Sequence, residues 1–99
     1  MFLYITCRDE KEAKKISKSL LHKKLIACSN FFPIKSMYLW NGKIEESKEF
    51  VMIAKTSKKH VKAAQEMAER LHSYEVPCIS IINSEPNKEF KDWIGKEIG

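Results

Sequence analysis

The amino-acid sequence predicts an α+β fold in which one antiparallel sheet, organised around a long β-hairpin, carries two helices on one face. Two observations lead there. First, Ile26 to Thr56 holds two long runs of strand-forming residues on either side of Asn41-Gly42, and Asn-Gly is the strongest short hairpin signal because both residues tolerate the positive φ of a type I′ turn. Second, each half of the chain also contributes one amphipathic helical pattern and one short apolar run that reads as a strand.

Taken in order, Phe2 to Thr6 is aromatic and β-branched, nearly continuous in hydrophobicity, and reads as a central strand ending at Cys7-Arg8. Asp9 followed three residues later by Glu12 resembles a capping box. Ala13, Ile16, Leu20 and Leu21 then recur at helical spacing, so a helix is expected over 9–24, with acids in its first turn and His22, Lys23 and Lys24 in its last. After the hairpin, Ser57 is the expected N-cap of a helix over 58–72, whose apolar face is Val61, Ala64, Ala68 and Leu71. Tyr74 and Pro77 bound a short connection, Cys78 to Ile82 reads as a strand, and Asn87 to Ile98 places Phe90, Trp93, Ile94 and Ile98 on one face of a short docking helix.

The turn sets the hairpin register: Trp40 should face Lys43, Leu39 face Ile44 and Tyr38 face Glu45. An arm of about 14 residues spans roughly 45 Å at about 3.3 Å per residue, whereas a domain of this size has a radius of gyration of about 13 Å. Part of the hairpin should therefore project, leaving Met37, Tyr38, Leu39 and Trp40 for a partner to cover, and an oligomer is expected. Pro33 cannot donate to a ladder, so it should mark a bulge or an edge. The order βαββαβ plus a terminal helix, in one domain over 1–99, is the ferredoxin-like split-βαβ arrangement, which hosts many functions and decides none.

Composition narrows the classes. The chain has 99 residues, 43% hydrophobic and 31% charged, with a net charge of +5. Lys supplies the positive excess along the outer helix faces, with Arg8 and Arg70 the only arginines, so a solvated surface is expected rather than a nucleic-acid interface. Cys7, Cys28 and Cys78 are odd in number and form no C-x-x-C pair, which argues against a disulfide framework; Cys28 and Cys78 are expected to be small buried hydrophobes. The apolar run Met1 to Cys7 is too short for a signal or membrane segment, so no membrane association is expected and the location expected is cytoplasmic.

The loop after the first strand offers one thiol, not the pair a copper chaperone uses. Thr6-Cys7-Arg8-Asp9 has the arginine but no glycine for an acylphosphatase-type anion cradle, and Phe50 to Ala54 lacks the stacked aromatics of an RNA-recognition sheet. No catalytic set emerges, and a non-enzyme is expected. His22 and His60 lie among lysines near helix ends, where exposure is the plain reading. His72, beside Tyr74 and Glu75, is either a helix-terminal imidazole meeting free carbonyls or an N/O ligand set for Cu(II) or Zn(II). Lys55, closing an apolar strand, is either an edge residue or the partner of an anion.

Ala27-Cys28-Ser29-Asn30, Ser36, Tyr38, Trp40-Asn41-Gly42-Lys43-Ile44, Lys55-Thr56 and His72-Ser73-Tyr74-Glu75-Val76-Pro77 resemble, in order and spacing, the successive blocks of the CutA divalent-cation tolerance proteins, over almost the whole chain. The resemblance implies a homotrimer joined through its long strands, similar in architecture to nitrogen-regulatory signalling proteins, and a link to copper or another divalent cation without an organic cofactor. The family's copper ligands, a first-strand Cys and two adjacent His, fall by position at Ile5, Leu71 and His72. His72 is retained, Cys7 is the substitute two residues along the same strand face, and Glu75 is the nearby carboxylate. A second expectation is a regulatory trimer holding a small anion or nucleotide with Asn30, Trp40, Lys55 and Tyr74.

Overall fold

The computed structural model describes residues 1–99. In chain order it contains β1 (Phe2–Cys7), α1 (Glu10–His22), β2 (Cys28–Trp40), β3 (Lys43–Lys55), α2 (Val61–Leu71), β4 (Ile79–Ile82) and α3 (Lys88–Ile98). The strands form one antiparallel sheet in the order β2-β3-β1-β4.

The hairpin has the expected register, unbroken from Cys28 opposite Lys55 to Trp40 opposite Lys43. Asn41 (φ 51°) and Gly42 (φ 77°) both adopt the positive φ of a type I′ turn. Pro33 lies opposite Phe50 without a bulge; β2 is an edge strand, so the missing N–H costs no ladder bond inside the sheet. Of the hairpin, only Phe50 to Lys55 pairs with β1, so its far half extends beyond the sheet and the molecule measures 45 × 23 × 20 Å. On that extension Met37, Leu39 and Ile44 are 67%, 74% and 71% exposed. A Cβ on Gly42 would touch nothing within 4 Å. Gly42→Ala should therefore destabilise by backbone strain alone, about 1 kcal/mol in urea unfolding, and an unchanged stability would contradict the I′ turn.

One face of the sheet forms the core. Leu3, Ile5 and Cys7 alternate inward from β1 and pack with Ala13, Ile16 and Leu20 of α1, Met52 and Ala54 of β3, and Val61, Ala64 and Ala68 of α2. Each fully buried Leu or Ile side chain contributes about 1.5–3 kcal/mol of transfer free energy. On the other face α3 rests near the Lys55 end, with Ile94 and Ile98 buried, Lys55 Nζ 5.5 Å from the Phe90 ring centre and His60 Nε2 3.1 Å from the Gly99 carbonyl oxygen. No helix is long and apolar enough to cross a membrane.

Some boundaries move. Asp9 caps α1 as expected, its side chain accepting the Glu12 N–H at 2.9 Å, but the helix ends at His22 because Lys24 turns left-handed at φ 55°. Leu21 is exposed rather than buried. α2 starts at Val61, not at Lys58. The Ser57 carbonyl accepts the N–H groups of His60 and Val61 at 3.1 and 3.0 Å, closing a turn ahead of the helix, and His60 takes the N-cap position. Cys78 is exposed and Cys28 only partly buried, because neither side chain points into the core: Cys28 lies on an edge strand and Cys78 just before one. Trp93 is also half-exposed, turned away from the buried line of Ile94 and Ile98.

Candidate functional site

Three elements converge at the end of β1. Alternation carries Cys7 into the core, the capping position carries Glu12 over the start of α1, and the extended C-cap His72 (ψ 142°) turns the chain away from α2. One ligand atom from each of Cys7, Glu12 and His72 lies within 4.8 Å of the others. The His72 side chain is fully buried and that of Glu12 nearly so.

The hydrogen bonds fix the protonation of His72. Its Nε2 is 2.7 Å from the Thr6 carbonyl oxygen, which can only accept, so Nε2 carries the ring proton. Its Nδ1 accepts the Tyr74 N–H at 3.1 Å and lies 4.0 Å from Glu12 Oε1. The imidazole is therefore neutral, with both nitrogens engaged. Glu12 spans two segments: Oε1 accepts the Arg8 N–H at 2.8 Å and Oε2 the Ser73 N–H at 2.9 Å. Burial acts to raise the Glu12 carboxyl, but the hydrogen bonds from Arg8 and Ser73 outweigh it and hold it below the usual value. Burial first, and then the carboxylates of Glu12, Asp9 and Glu49, push the Cys7 thiol up to about 12.

Sulfur, nitrogen and oxygen donors suit Zn(II) or Cu(II). In a tetrahedral site with bonds of about 2.0–2.3 Å, donors stand roughly 3.5 Å apart, so the group would have to contract by about 1 Å. Glu75 is exposed and lies outside the group. Glu12 is the carboxylate that meets Cys7 and His72, and the sequence marked it only as a capping residue. Ile5 and Leu71, where the two other family ligands fall, are apolar and pack in or against the core.

Thr6 and Tyr4, pointing away from Cys7 on the opposite face of β1, line an open cleft of about 810 Å³ together with Tyr38, Trp40, Glu45 and Glu49 of the hairpin and residues 73–76. Tyr74 forms one wall. Its hydroxyl donates to Glu49 Oε2 at 2.6 Å, and its ring lies 4.8 Å from that of His72. Burial and then the Glu49 carboxylate keep the Tyr74 phenol well above its ordinary value. The lining carries Glu45, Glu49 and Glu75 and no cationic side chain, which disfavours an anion.

Of the four residues expected to hold a small ligand, Trp40 and Tyr74 line this cleft and Asn30 and Lys55 do not. Asn30 is ten residues before Trp40 on β2, roughly 33 Å away at about 3.3 Å per residue, and Lys55 sits over Phe90. Within one chain the four do not meet. His22 is exposed at the end of α1.

A relative from Archaeoglobus fulgidus, a divalent-cation tolerance protein CutA, is 47% identical over 98 residues, which are 98% of this chain and 96% of the relative. One from Thermotoga maritima is 36% identical over 99 residues, 99% and 98% of the two chains. The solved structure of the A. fulgidus protein, described as a periplasmic divalent cation tolerance protein, superposes with a TM-score of 0.93 at 45% identity and covers 99% of this chain and 97% of that one. The family model described as CutA1 divalent ion tolerance protein matches residues 1–97, and the chain belongs to that family.

Proposed function

We propose that this chain is a homotrimeric protein of divalent-cation tolerance in the cytoplasm, which binds a cation such as Cu(II) through His72, Cys7 and Glu12 and catalyses no reaction. The observation that carries the reading is the convergence of sulfur, nitrogen and oxygen donors within 4.8 Å. Glu12 takes the place expected for Glu75. The long exposed hairpin, with an edge strand on either side of the sheet, supports self-association. The free thiols, with Cys78 exposed, suit a reducing compartment.

Each donor has something to give up. A cation on the sulfur displaces the thiol proton, and one on Nδ1 displaces the Tyr74 N–H, so affinity is modest and rises with pH. Cys7 makes no side-chain hydrogen bond, so Cys7→Ala removes the ligand atom without breaking one and leaves only a small cavity in the core. Calorimetric titration with Cu(II) and Zn(II) should show at least tenfold weaker binding in Cys7→Ala and in His72→Ala than in wild type. Equal affinity in all three proteins rules the group out.

A further inference from the structure

We infer that residues 74–77, the strap between α2 and β4, are latched by His72, so that loading the proposed metal group with a cation unlatches them. The inference rests on His72 being a ligand, as proposed above. The strap is fixed at its two ends: the Ser73 N–H donates to Glu12 Oε2 at 2.9 Å, and the Cys78 carbonyl oxygen accepts the Thr6 N–H at 3.2 Å. Between them the chain makes two hydrogen bonds, both from Tyr74, whose N–H donates to His72 Nδ1 and whose hydroxyl donates to Glu49. Glu75 and Val76 are exposed, so apolar burial does little to hold this stretch.

Imidazole chemistry makes the Tyr74 N–H bond incompatible with loading. A neutral imidazole has a single ring nitrogen free to accept, and here it is Nδ1, because Nε2 donates its proton to the Thr6 carbonyl oxygen. With Nδ1 as the ligand atom its lone pair is taken, while Nε2–H stays on Thr6, the backbone-carbonyl partner that metal-bound histidines commonly keep. With Nε2 as the ligand atom the ring proton sits on Nδ1, which then faces the Tyr74 N–H as a second donor. Either way Tyr74 loses its acceptor. Competition at Glu12 is milder, because each carboxylate oxygen carries two lone pairs and can keep Ser73 beside a cation. Release therefore begins at Tyr74 and not at Ser73. The donors and acceptors of the latch all belong to one chain, and the exchange of one amide proton reports its release in the assembled protein.

The test is amide-proton exchange by NMR on the full, isotope-labelled chain, with diamagnetic Zn(II) as the probe and its uptake measured by calorimetry on the same preparation. Saturating Zn(II) should make the Tyr74 amide exchange at least tenfold faster. Ser73, and Ala13, whose N–H donates to the Asp9 carbonyl oxygen, should exchange as before. Metal-free His72→Ala should show the fast Tyr74 exchange from the start and no further change with Zn(II). Uptake of Zn(II) with Tyr74 exchange unchanged or slowed overturns the inference and leaves the metal site standing. Absence of uptake overturns both. Slow Tyr74 exchange in folded, metal-free His72→Ala overturns the latch whatever the uptake; should that variant not fold, the wild-type titration decides alone.

Discussion

Trp40→Glu is expected to elute as monomer or aggregate in size-exclusion chromatography, where the wild type is expected to elute as the proposed trimer. The hairpin beyond the sheet has no apolar cover of its own: Trp40 is 46% exposed and Tyr38 42%, and Met37, Leu39 and Ile44 are more open still. Scattered exposed apolar residues are ordinary, but five within eight positions of one hairpin form a patch that a soluble protein covers by association. A central aromatic anchor at an interface is typically worth about 2 kcal/mol or more when truncated, and a buried unpaired carboxylate adds its own desolvation cost. In a closed trimer the change is made three times. An intact trimer would show that the tip lies outside the interface.

Glu12→Ala is expected to lower stability by about 3–6 kcal/mol, because hydrogen bonds to a charged group contribute about 1.5–3 kcal/mol each and two are lost. The loss leaves the N–H groups of Arg8 and Ser73 without their acceptor. Ser73 is 61 residues from Glu12 in the chain, so this contact ties the segment after α2 to the start of α1 and thereby steadies His72 and Tyr74. At about 4–8 °C per kcal/mol for a chain of this size, thermal unfolding should fall by more than 10 °C. The exposed Glu75→Ala should stay within about 0.5 kcal/mol of wild type. A Glu12→Ala protein as stable as Glu75→Ala would refute the bridging role.

The hairpin was legible because two adjacent residues, Asn41 and Gly42, carry a backbone requirement that a single turn type meets. The start of α2 was not. Ser57 has the side chain of an N-cap, yet its carbonyl closes a preceding turn, a choice made by the backbone and invisible in residue type. Cys28 and Cys78 were misjudged because an apolar neighbourhood in sequence does not say whether a strand lies at an edge. At the site, His72 could be singled out from its block, but the groups that hold it are the Thr6 carbonyl and the Tyr74 N–H, and main-chain partners leave no mark on the sequence. Glu12 showed its capping role and hid its meeting with Cys7 and His72. The acidic cleft had a signal that went unused: period-2 alternation already places Glu45 and Glu49 on the same face as Tyr38.

The proposed cation would compete with the native hydrogen bonds for His72 Nδ1 and the Glu12 oxygens, which makes the location of a bound ion the decisive observation. The direct measurement is a crystal structure of the protein soaked with Cu(II), with anomalous data collected at the copper edge. The account predicts a peak between Cys7 Sγ, His72 and Glu12 on the helix side of β1. A peak elsewhere, or none at copper concentrations that saturate the calorimetric signal, would contradict it.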